Sequence, residues 1–456
     1  MLLTDRQRMA HLLRRAGFGA SQDELSVYLQ LGWDAAIDRL VNYDQVPNDA
    51  VNAQADAAEQ KILADWDHAK MNQPPLAGYQ QLWLTRMLTT ARPLEEKMTL
   101  FWHDHFATGN AKVGNPPAMY TQNKLFRSNA LGNFHDLVTA IAQDPAMLRW
   151  LDSNSNRKAH PNENFGRELM ELFTLGVGNY SESDVREGAR AFTGWFYDPK
   201  LGFVFNKNQH DTANKTFLGQ TGAWNGDDVI NIIFQQPALS TYMANKLFNF
   251  FVHDHPSPST ISSLADTFRS SGFSVRALVR AILTSPDFTS DDAYRGVVRS
   301  PIELVVGTLK SLGVSQFNAS ATLGSLRRMG MDLYNPPNVA GWDWGSSWIS
   351  SATQLERFAA AMTVTSARGD SQQYGLDPSA FLAQTGAKTP ESIVDAWLGL
   401  LVDGAVTNDV RGALVDYARN GYTGDPTKFT ADSARVDRAV RGVGHLIMST
   451  PIYQMA

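Results

Sequence analysis

Apolar residues recur along this chain at the three- and four-residue spacing of amphipathic helices. This spacing predicts helices because residues i, i+3, i+4 and i+7 share one helix face, which can then be buried. Strand-like alternation is clear only at 202–206, which we interpret as one arm of a β-hairpin. Helices are predicted at 22–41, 76–91, 94–107, 133–148, 164–175, 183–195, 227–234, 239–252, 259–269, 274–284, 301–312, 352–365, 391–402, 408–418 and 431–448.

The predicted fold is therefore mainly α, a large multi-helix globular body with a minor β-hairpin and long structured loops. The irregular stretches at 152–163, 196–226 and 330–351 are long enough to be functional or to pack on themselves. The best candidate boundary lies at 370–388. It separates a main helical domain, 1–370, from a small helical C-terminal extension, 371–456, that we expect to pack on it.

Composition narrows the class of protein. The 456 residues are 43% hydrophobic, which suits a large buried core. Cysteine is absent, so disulfides, thiolate metal sites and cysteine nucleophiles are excluded. A net charge of −6 without a long basic run argues against nucleic acid as a partner. Several catalytic motifs are also missing: GxGxxG, the Walker loop, HExxH and GxSxG.

The sequence shows neither a transmembrane segment nor a signal peptide. No stretch approaches 18 consecutive apolar residues. Near the N-terminus, Arg6, Arg8, Arg14 and Arg15 interrupt the apolar core that a signal peptide needs. We therefore expect a cytoplasmic protein from the chain as given, and a periplasmic or secreted one if a leader has been removed.

A histidine occupies a position where helical periodicity expects an apolar residue, within FWHDHFATGN at 101–110. His105 continues the helix face of Met98 and Phe101, whereas His103 points nearly the opposite way. The HxH pattern is therefore a weak sign of paired metal ligands. His105 is either a buried reactive side chain or a core histidine satisfied by a backbone carbonyl.

Within NENFGRELMELFTLG at 162–176, a glutamate also occupies a position where helical periodicity expects an apolar residue. Glu168 falls beside Leu172 on the apolar face, and a buried carboxylate must be paired, metal-bound or protonated. It is a candidate metal ligand or a general acid or base with a raised pKa. The alternative is an ion pair with Arg186 or Arg190 of the next helix. Those arginines could instead bind an anionic substrate group.

The polar stretch NQHDTANKTFLG at 208–219 adds His210 and Asp211. Loops carry much of the chemistry on helical scaffolds. Histidine and carboxylate ligands from separate segments also build Zn, Mn or Fe sites that lack thiolates. We therefore predict that His105, Glu168 and His210 are metal ligands, with Asp211 completing the site. The alternative is a solvated loop.

Three tryptophans lie among prolines and glycines in the segment 330–357, namely Trp342, Trp344 and Trp348. Exposed aromatic rings on a stiff loop would form a stacking platform for a sugar ring or another planar ligand. The alternative is that the tryptophans pack the loop onto the helices.

Seven segments together resemble the bacterial domain-of-unknown-function family 1800. They are HLLRRAGFG (11–19), FWHDHFATG (101–109), PNENFGRELMELFTLGVGNY (161–180), VREGARAFTGW (185–195), HDTANKTFLG (210–219), RSPIELVV (299–306) and PPNVAGW (336–342). The resemblance implies a large, mainly α-helical bacterial protein. Many relatives look exported, in conflict with the missing leader. The family has no settled activity, so the resemblance assigns no site residue.

Two functions are consistent with the sequence. The first is an enzyme of hydrolase type, with a divalent metal as candidate cofactor and a small molecule or glycan as ligand. Its predicted catalytic residues are His105, Glu168, His210 and Asp211, and its predicted substrate-binding residues are Arg186, Arg190, Trp342, Trp344 and Trp348. The second is a non-catalytic binding or assembly protein of an envelope or polysaccharide system, with a protein partner. The same residues would then form a structural polar network.

Overall fold

The structure is a computed structural model that describes residues 3–67, 73–368 and 374–456. Most of these residues are helical, and the described strands form two small two-stranded sheets. The prediction of a mainly α fold with a minor hairpin is confirmed.

The N-terminal part of the chain is helical throughout. Its helices are α1 (Asp5–Arg15), α2 (Gln22–Leu31), α3 (Trp33–Val41), α4 (Asp49–Ala64), α5 (Leu76–Thr89), α6 (Pro93–His105), α7 (Asn110–Val113), α8 (Pro116–Ser128), α9 (Phe134–Ala142) and α10 (Pro145–Trp150). The predicted helices 22–41 and 133–148 are each divided in two. The first breaks at Gly32, where φ is 78°, and the second at Pro145, whose ring nitrogen cannot donate a helical hydrogen bond.

Two antiparallel hairpins lie in the middle of the chain. After α11 (Asn164–Glu168), a π-helix (Leu169–Thr174) and α12 (Glu182–Ala191), the strands β1 (Trp195–Asp198) and β2 (Gly202–Phe205) pair from Trp195 opposite Phe205. This is the predicted hairpin. The strands β3 (Lys215–Phe217) and β4 (Gln220–Gly222) form a second hairpin. It was not predicted, because its three-residue strands are too short to show an alternating pattern.

The C-terminal part returns to helices. They are α13 (Gly226–Phe234), α14 (Pro237–Phe251), α15 (Pro258–Ser270), α16 (Val275–Thr284), α17 (Pro301–Ser311), α18 (Ala319–Arg328), α19 (Ser351–Ser366), α20 (Pro378–Thr385), α21 (Pro390–Leu401), α22 (Asn408–Arg419), α23 (Ser433–Met448) and α24 (Pro451–Gln454). Some helices were not predicted because few of their apolar residues are buried on one face. Helix α4, for example, buries only Ala55. Within the described ranges, no helix has the length and hydrophobicity that a bilayer crossing requires.

Side chains are buried in two hydrophobic clusters. The first joins α1–α3, α6, α9 and α12–α16. The second joins α5, α17 and α18 to the C-terminal helices α21–α23. The predicted boundary at 370–388 begins among residues 369–373, which lie outside the described part of the chain. The division into 1–370 and 371–456 stays a prediction.

Buried charges also connect the helices. The carboxylate of Glu96 in α6 is fully buried and accepts four hydrogen bonds. Two come from Arg127, at 2.6 and 3.0 Å, and one each from Arg86 at 2.9 Å and Trp83 at 3.0 Å. A buried carboxylate is tolerated when its oxygens are satisfied in this way. Glu96 therefore ties α5 and α8 to α6.

Candidate functional site

The segment that carries Glu168 is not a regular α-helix. α11 ends at Glu168, and the chain continues as the π-helix, in which the Leu175 N–H donates to the Met170 carbonyl, five residues earlier, at 2.9 Å. π-helical turns are rare and are frequent at functional sites. Gly176 follows the π-helix with φ at 79°, and a Cβ there would lie 2.8 Å from the Tyr242 ring. A glycine is thus required for the close packing of α14.

His105 stabilises the end of this π-helix. Its Nε2 donates to the Phe173 carbonyl at 3.0 Å, and the Tyr242 hydroxyl donates to the Leu172 carbonyl at 2.6 Å. The last carbonyls of a helix lack partners within it, so both bonds satisfy groups that would otherwise be orphaned. His105 is thus a buried histidine bonded to a backbone carbonyl, and its predicted catalytic role stays a prediction.

The surroundings of His105 keep its ring neutral. The ring stacks on Phe101 with centroids 5.7 Å apart and meets Phe106 edge-on at 4.6 Å. Burial, reinforced by the charge of Lys246, lowers the pKa of His105 to about 3. Because Nε2 carries the proton that bonds Phe173, Nδ1 is unprotonated, and it has no partner among the described residues. His105 is therefore a poor proton donor at neutral pH.

His103 lies on the other side of α6, as the helical spacing predicted. Its Nε2 accepts a hydrogen bond from the Tyr334 N–H at 3.1 Å, and its ring contacts Trp83 and Trp342. None of these residues contacts the His105 ring. The two histidines therefore do not form a metal-binding pair.

Glu168 is half-buried and has no hydrogen bond or ion pair with any residue that the structure describes. Burial and the nearby charge of Glu171 raise the pKa of Glu168. The alternative interpretation, an ion pair with Arg186 or Arg190, is not what the structure shows. Arg186 is exposed, and Arg190 is bound elsewhere. The Glu168 carboxyl is thus free to exchange a proton.

Glu171 lies one turn further along the π-helix and is bound to tyrosine. The Tyr180 hydroxyl donates to Glu171 Oε2 at 2.7 Å. Burial, followed by the charge of Glu171, raises the pKa of Tyr242. Glu171 therefore lies within electrostatic reach of both Glu168 and Tyr242.

A third carboxyl and a lysine extend this set of groups. Asp104 is buried beside His105, and burial raises its pKa to about 6 although Trp342 N and Trp344 Nε1 each donate to it at 2.7 Å. Lys246 in α14 is half-buried, and burial lowers its pKa, an effect that the charge of Asp104 opposes. Lys246 has no ion pair within the described ranges, and its Nζ lies 5.6 Å from the centre of the Tyr242 ring.

We call Asp104, Lys246, Tyr242, Glu171 and Glu168 the acid–base strip. Each member influences the ionisation of the next one or lies against its ring. Four of the five are half-buried, so solvent can reach them. Clustered groups with shifted pKa values are typical of functional sites, although structural networks also produce them.

The sequence interpretation found Glu168 in the strip and missed its partners. A signal for Lys246 was present: Leu239, Met243, Lys246 and Phe250 follow the spacing of one helix face. The same argument had singled out His105 and Glu168. No periodicity marks Asp104, because its role depends on the approach of the distant loop that carries Trp342 and Trp344.

The predicted metal site is not formed. Among residues 3–67, 73–368 and 374–456, no three histidine, aspartate or glutamate side chains lie together as a metal ion would need. His105 uses one ring nitrogen for Phe173, and aromatic rings surround the ring. Glu168 and His210 do not contact it. The set of His105, Glu168 and His210 as ligands is therefore a wrong prediction.

His210 and Asp211 belong to a local structural cluster. His210 Nδ1 bonds the Thr193 carbonyl at 2.9 Å. Asp211 Oδ2 accepts from Arg190 Nε at 2.7 Å, and the Asp211 N–H donates to the Thr193 hydroxyl at 2.8 Å. These bonds hold the 208–219 segment against α12. The structure does not bring either residue to His105.

The two arginines predicted to bind substrate, Arg186 and Arg190, differ in their partners and in their exposure. Arg190 is neutralised by Asp211 and by Glu187, whose Oε2 lies 2.6 Å from Arg190 Nη1. With both carboxylates in place, Arg190 has little attraction left for an anionic ligand, and its role in substrate binding stays a prediction. Arg186 is exposed. Its role in binding stays a prediction.

The tryptophans do not form a stacking platform. Trp342 and Trp348 are each only 5% exposed, in the second hydrophobic cluster. Trp344 is half-buried, bonded to Asp104 and packed edge-on against Phe250 at 5.1 Å. The three residues pack their loop onto the helices, because indole rings bury large apolar areas. Their predicted role as a ligand platform is wrong.

The chain belongs to a family of proteins of unknown function, DUF1800, whose model matches residues 11–455. The predicted family membership is therefore confirmed over nearly the whole chain. No curated protein and no solved structure matches this chain. Of the segments that carry the family resemblance, 101–109 and 161–180 supply Asp104, Glu168 and Glu171, and 336–342 ends at Trp342, which binds Asp104.

Proposed function

We propose that the protein is an enzyme that hydrolyses its substrate by general acid–base catalysis, with Glu168 as the residue that transfers the proton. One observation carries this proposal. Glu168 is a half-buried carboxyl without a partner among the described residues, although α12 beside it supplies two arginines. A carboxyl stabilises a fold through an ion pair or a hydrogen bond, and Glu168 makes neither with the described residues.

The raised pKa suits Glu168 to proton transfer. A catalytic carboxyl is most effective when its pKa approaches the working pH, since both protonation states are then accessible. Burial and the charge of Glu171 both act in that direction. We assign the protonated Glu168 the role of general acid, and Glu171, held by Tyr180, is the neighbouring carboxyl whose charge acts on it.

Lys246 and Tyr242 supply positive charge and a ring face on the same strip. An ammonium group without an ion pair can stabilise negative charge that develops on a substrate oxygen. A pair of carboxyl groups within electrostatic reach of each other is also the arrangement that glycosidases use. A glycan is therefore the substrate class that we propose for this strip.

The test is a hydrolysis assay of the full chain on 4-nitrophenyl glycosides, esters and phosphates. The variants are Glu168→Gln and a matched control, Glu182→Gln, whose carboxylate is 66% exposed and pairs with Arg167. We expect turnover of a glycoside, a loss in Glu168→Gln on the order of 10²-fold or more, and no loss in the control. Thermal melts check that both variants are folded.

A non-catalytic binding or assembly role is the second candidate. It is favoured by the structural bonds of His105, Asp211 and the 342–348 tryptophans, which leave few of the predicted residues free. If wild-type protein hydrolyses none of the three substrate classes, or if both glutamine variants are equally active, the enzymatic proposal fails and the binding role is preferred.

A further inference from the structure

A small polar cavity lies far along the chain from the acid–base strip, between α1, α17 and the end of α21. Its volume is about 40 Å³, and its walls include Arg14, Arg299, Glu303, Gly307, Leu400 and Asp403. A buried water needs roughly 10–15 Å³ of such space, so the cavity has room for about three water-sized groups. It contains no member of the acid–base strip.

Arg14 lines this cavity and carries unused donors. Its side chain is 9% exposed, and its Nη1 binds Asp403 Oδ2 at 2.6 Å. Arg14 Nε and Nη2 are buried and have no hydrogen-bond partner among the described residues. Buried N–H donors nearly always have an acceptor. Arg14 Nε and Nη2 therefore need an acceptor that the described residues do not provide.

The carboxylates near Arg14 are already occupied. The same Asp403 oxygen also binds Arg295 Nη2 at 2.8 Å, so one carboxylate faces two buried guanidinium groups. Glu303 on the opposite wall is bound to Lys97 and accepts from the Ser300 hydroxyl at 2.9 Å. Each carboxylate is therefore already paired with at least one buried cation.

Arg299 adds a third positive charge. It is 5% exposed, and its Nε donates to the Met455 carbonyl at 3.0 Å. Burial and the charges of Arg14 and Arg295 lower the pKa of Arg299 to about 10. Arg14, Arg295 and Arg299 thus place three positive charges near Asp403, while Glu303, the other carboxylate on the cavity wall, is paired with Lys97. Buried charge without compensation is strongly unfavourable, so an anion from solution would relieve it.

We propose that this cavity binds the carboxylate group of a small organic acid, held by the guanidinium groups of Arg14 and Arg299. Guanidinium forks match a carboxylate through two parallel N–H bonds. Only the carboxylate group of the acid enters the cavity, because its three heavy atoms match the space for about three water-sized groups, whereas a phosphate has five. Because the site joins α1, the 295–299 segment and the turn at Asp403, its occupancy stabilises the contact between the N-terminal helix and the C-terminal helices.

The first experiment is isothermal titration calorimetry of the full chain with acetate and with inorganic phosphate, each exchanged for chloride at constant ionic strength. We expect acetate to bind one site per chain. Arg14→Met should weaken this binding at least tenfold. The control is Arg8→Met, on the same helix, whose guanidinium stacks on Trp33 at 4.6 Å; its affinity should equal that of wild type.

Arg14→Lys keeps the proposal testable if Arg14→Met does not fold. It retains the positive charge and removes the fork, so acetate should again bind at least tenfold more weakly. Wild-type protein that binds neither ion overturns the site, as do equal affinities of the Arg14 and Arg8 variants. Phosphate binding that depends on Arg14, without acetate binding, overturns the carboxylate assignment and replaces it with a tetrahedral oxyanion.

Discussion

The substitution His105→Gln separates a buried neutral histidine from a reactive one. Glutamine places its Nε2 amide where the imidazole Nε2 donates to the Phe173 carbonyl, and it does not titrate. The variant therefore keeps the hydrogen bond to the π-helix and removes the ionisable group. We expect it to be less stable than wild type at pH 7.5 by about 1–2 kcal/mol, because it packs less well among the aromatic rings.

The pH dependence follows from the lowered pKa. Burial keeps folded His105 neutral until about pH 3, whereas in the unfolded chain it is protonated below its ordinary value of 6.5. The folded state therefore binds fewer protons, and stability is lost as the pH falls through this window. From the two pKa values, His105 lowers the free energy of unfolding by about 2 kcal/mol at pH 5 and about 3 kcal/mol at pH 4.

The measurement is urea unfolding of wild type and His105→Gln at pH 7.5, 6, 5 and 4. Other titrating groups, including His103 and Asp104, contribute equally to both proteins and cancel in the difference. The stability advantage of wild type should shrink by about 2 kcal/mol between pH 7.5 and 5. The control is His255→Gln, at a side chain that is 64% exposed, where we expect a difference within about 0.5 kcal/mol at every pH.

A constant advantage of wild type across this range would refute the reasoning, because it would mean that His105 titrates alike in the folded and unfolded chains. An advantage that grows in acid would mean that a charged His105 stabilises the fold. Either result would return His105 to the list of candidate proton donors.

Three further substitutions test the fold and the strip. Glu96→Ala leaves Arg86 and Arg127 buried without their carboxylate, so urea unfolding should show a loss of about 3–5 kcal/mol. Gly341→Ala puts a Cβ 2.4 Å from Asp104 Oδ1 at a φ of 87°. The variant should lose about 1–3 kcal/mol of stability, which thermal melts would show as a lower melting temperature. The control Gly399→Ala, whose Cβ would meet open space, should not lose stability. Glu168→Leu should change stability by less than about 1 kcal/mol, because it breaks no ion pair, and a loss as large as that of Glu96→Ala would reveal a structural role.

The helices could be predicted from sequence because the signal is local. Residues three and four positions apart share a face wherever a helix forms, so apolar spacing marks the buried side without knowledge of what covers it. The spacing also placed His105 and Glu168 on buried or half-buried faces. The spacing did not predict the π-helix. One wider turn changes which backbone groups bond to each other, but it leaves the apolar spacing close to that of an α-helix.

What the residues contact was decided by tertiary structure alone. Whether Glu168 pairs with Arg190 depends on how α12 rotates against α11, and in the fold Arg190 turns to Asp211 instead. Asp104 accepts hydrogen bonds from a loop more than 230 residues away, and these bonds oppose the rise in pKa that its burial causes.

The sequence by itself therefore determined the helical class, the faces that each helix buries and the polar residues that interrupt them. Only the tertiary structure decided which of those residues meet. The side chains that neutralise, bond or desolvate a buried group come from distant parts of the chain, and their approach depends on the packing of whole helices rather than on any local pattern.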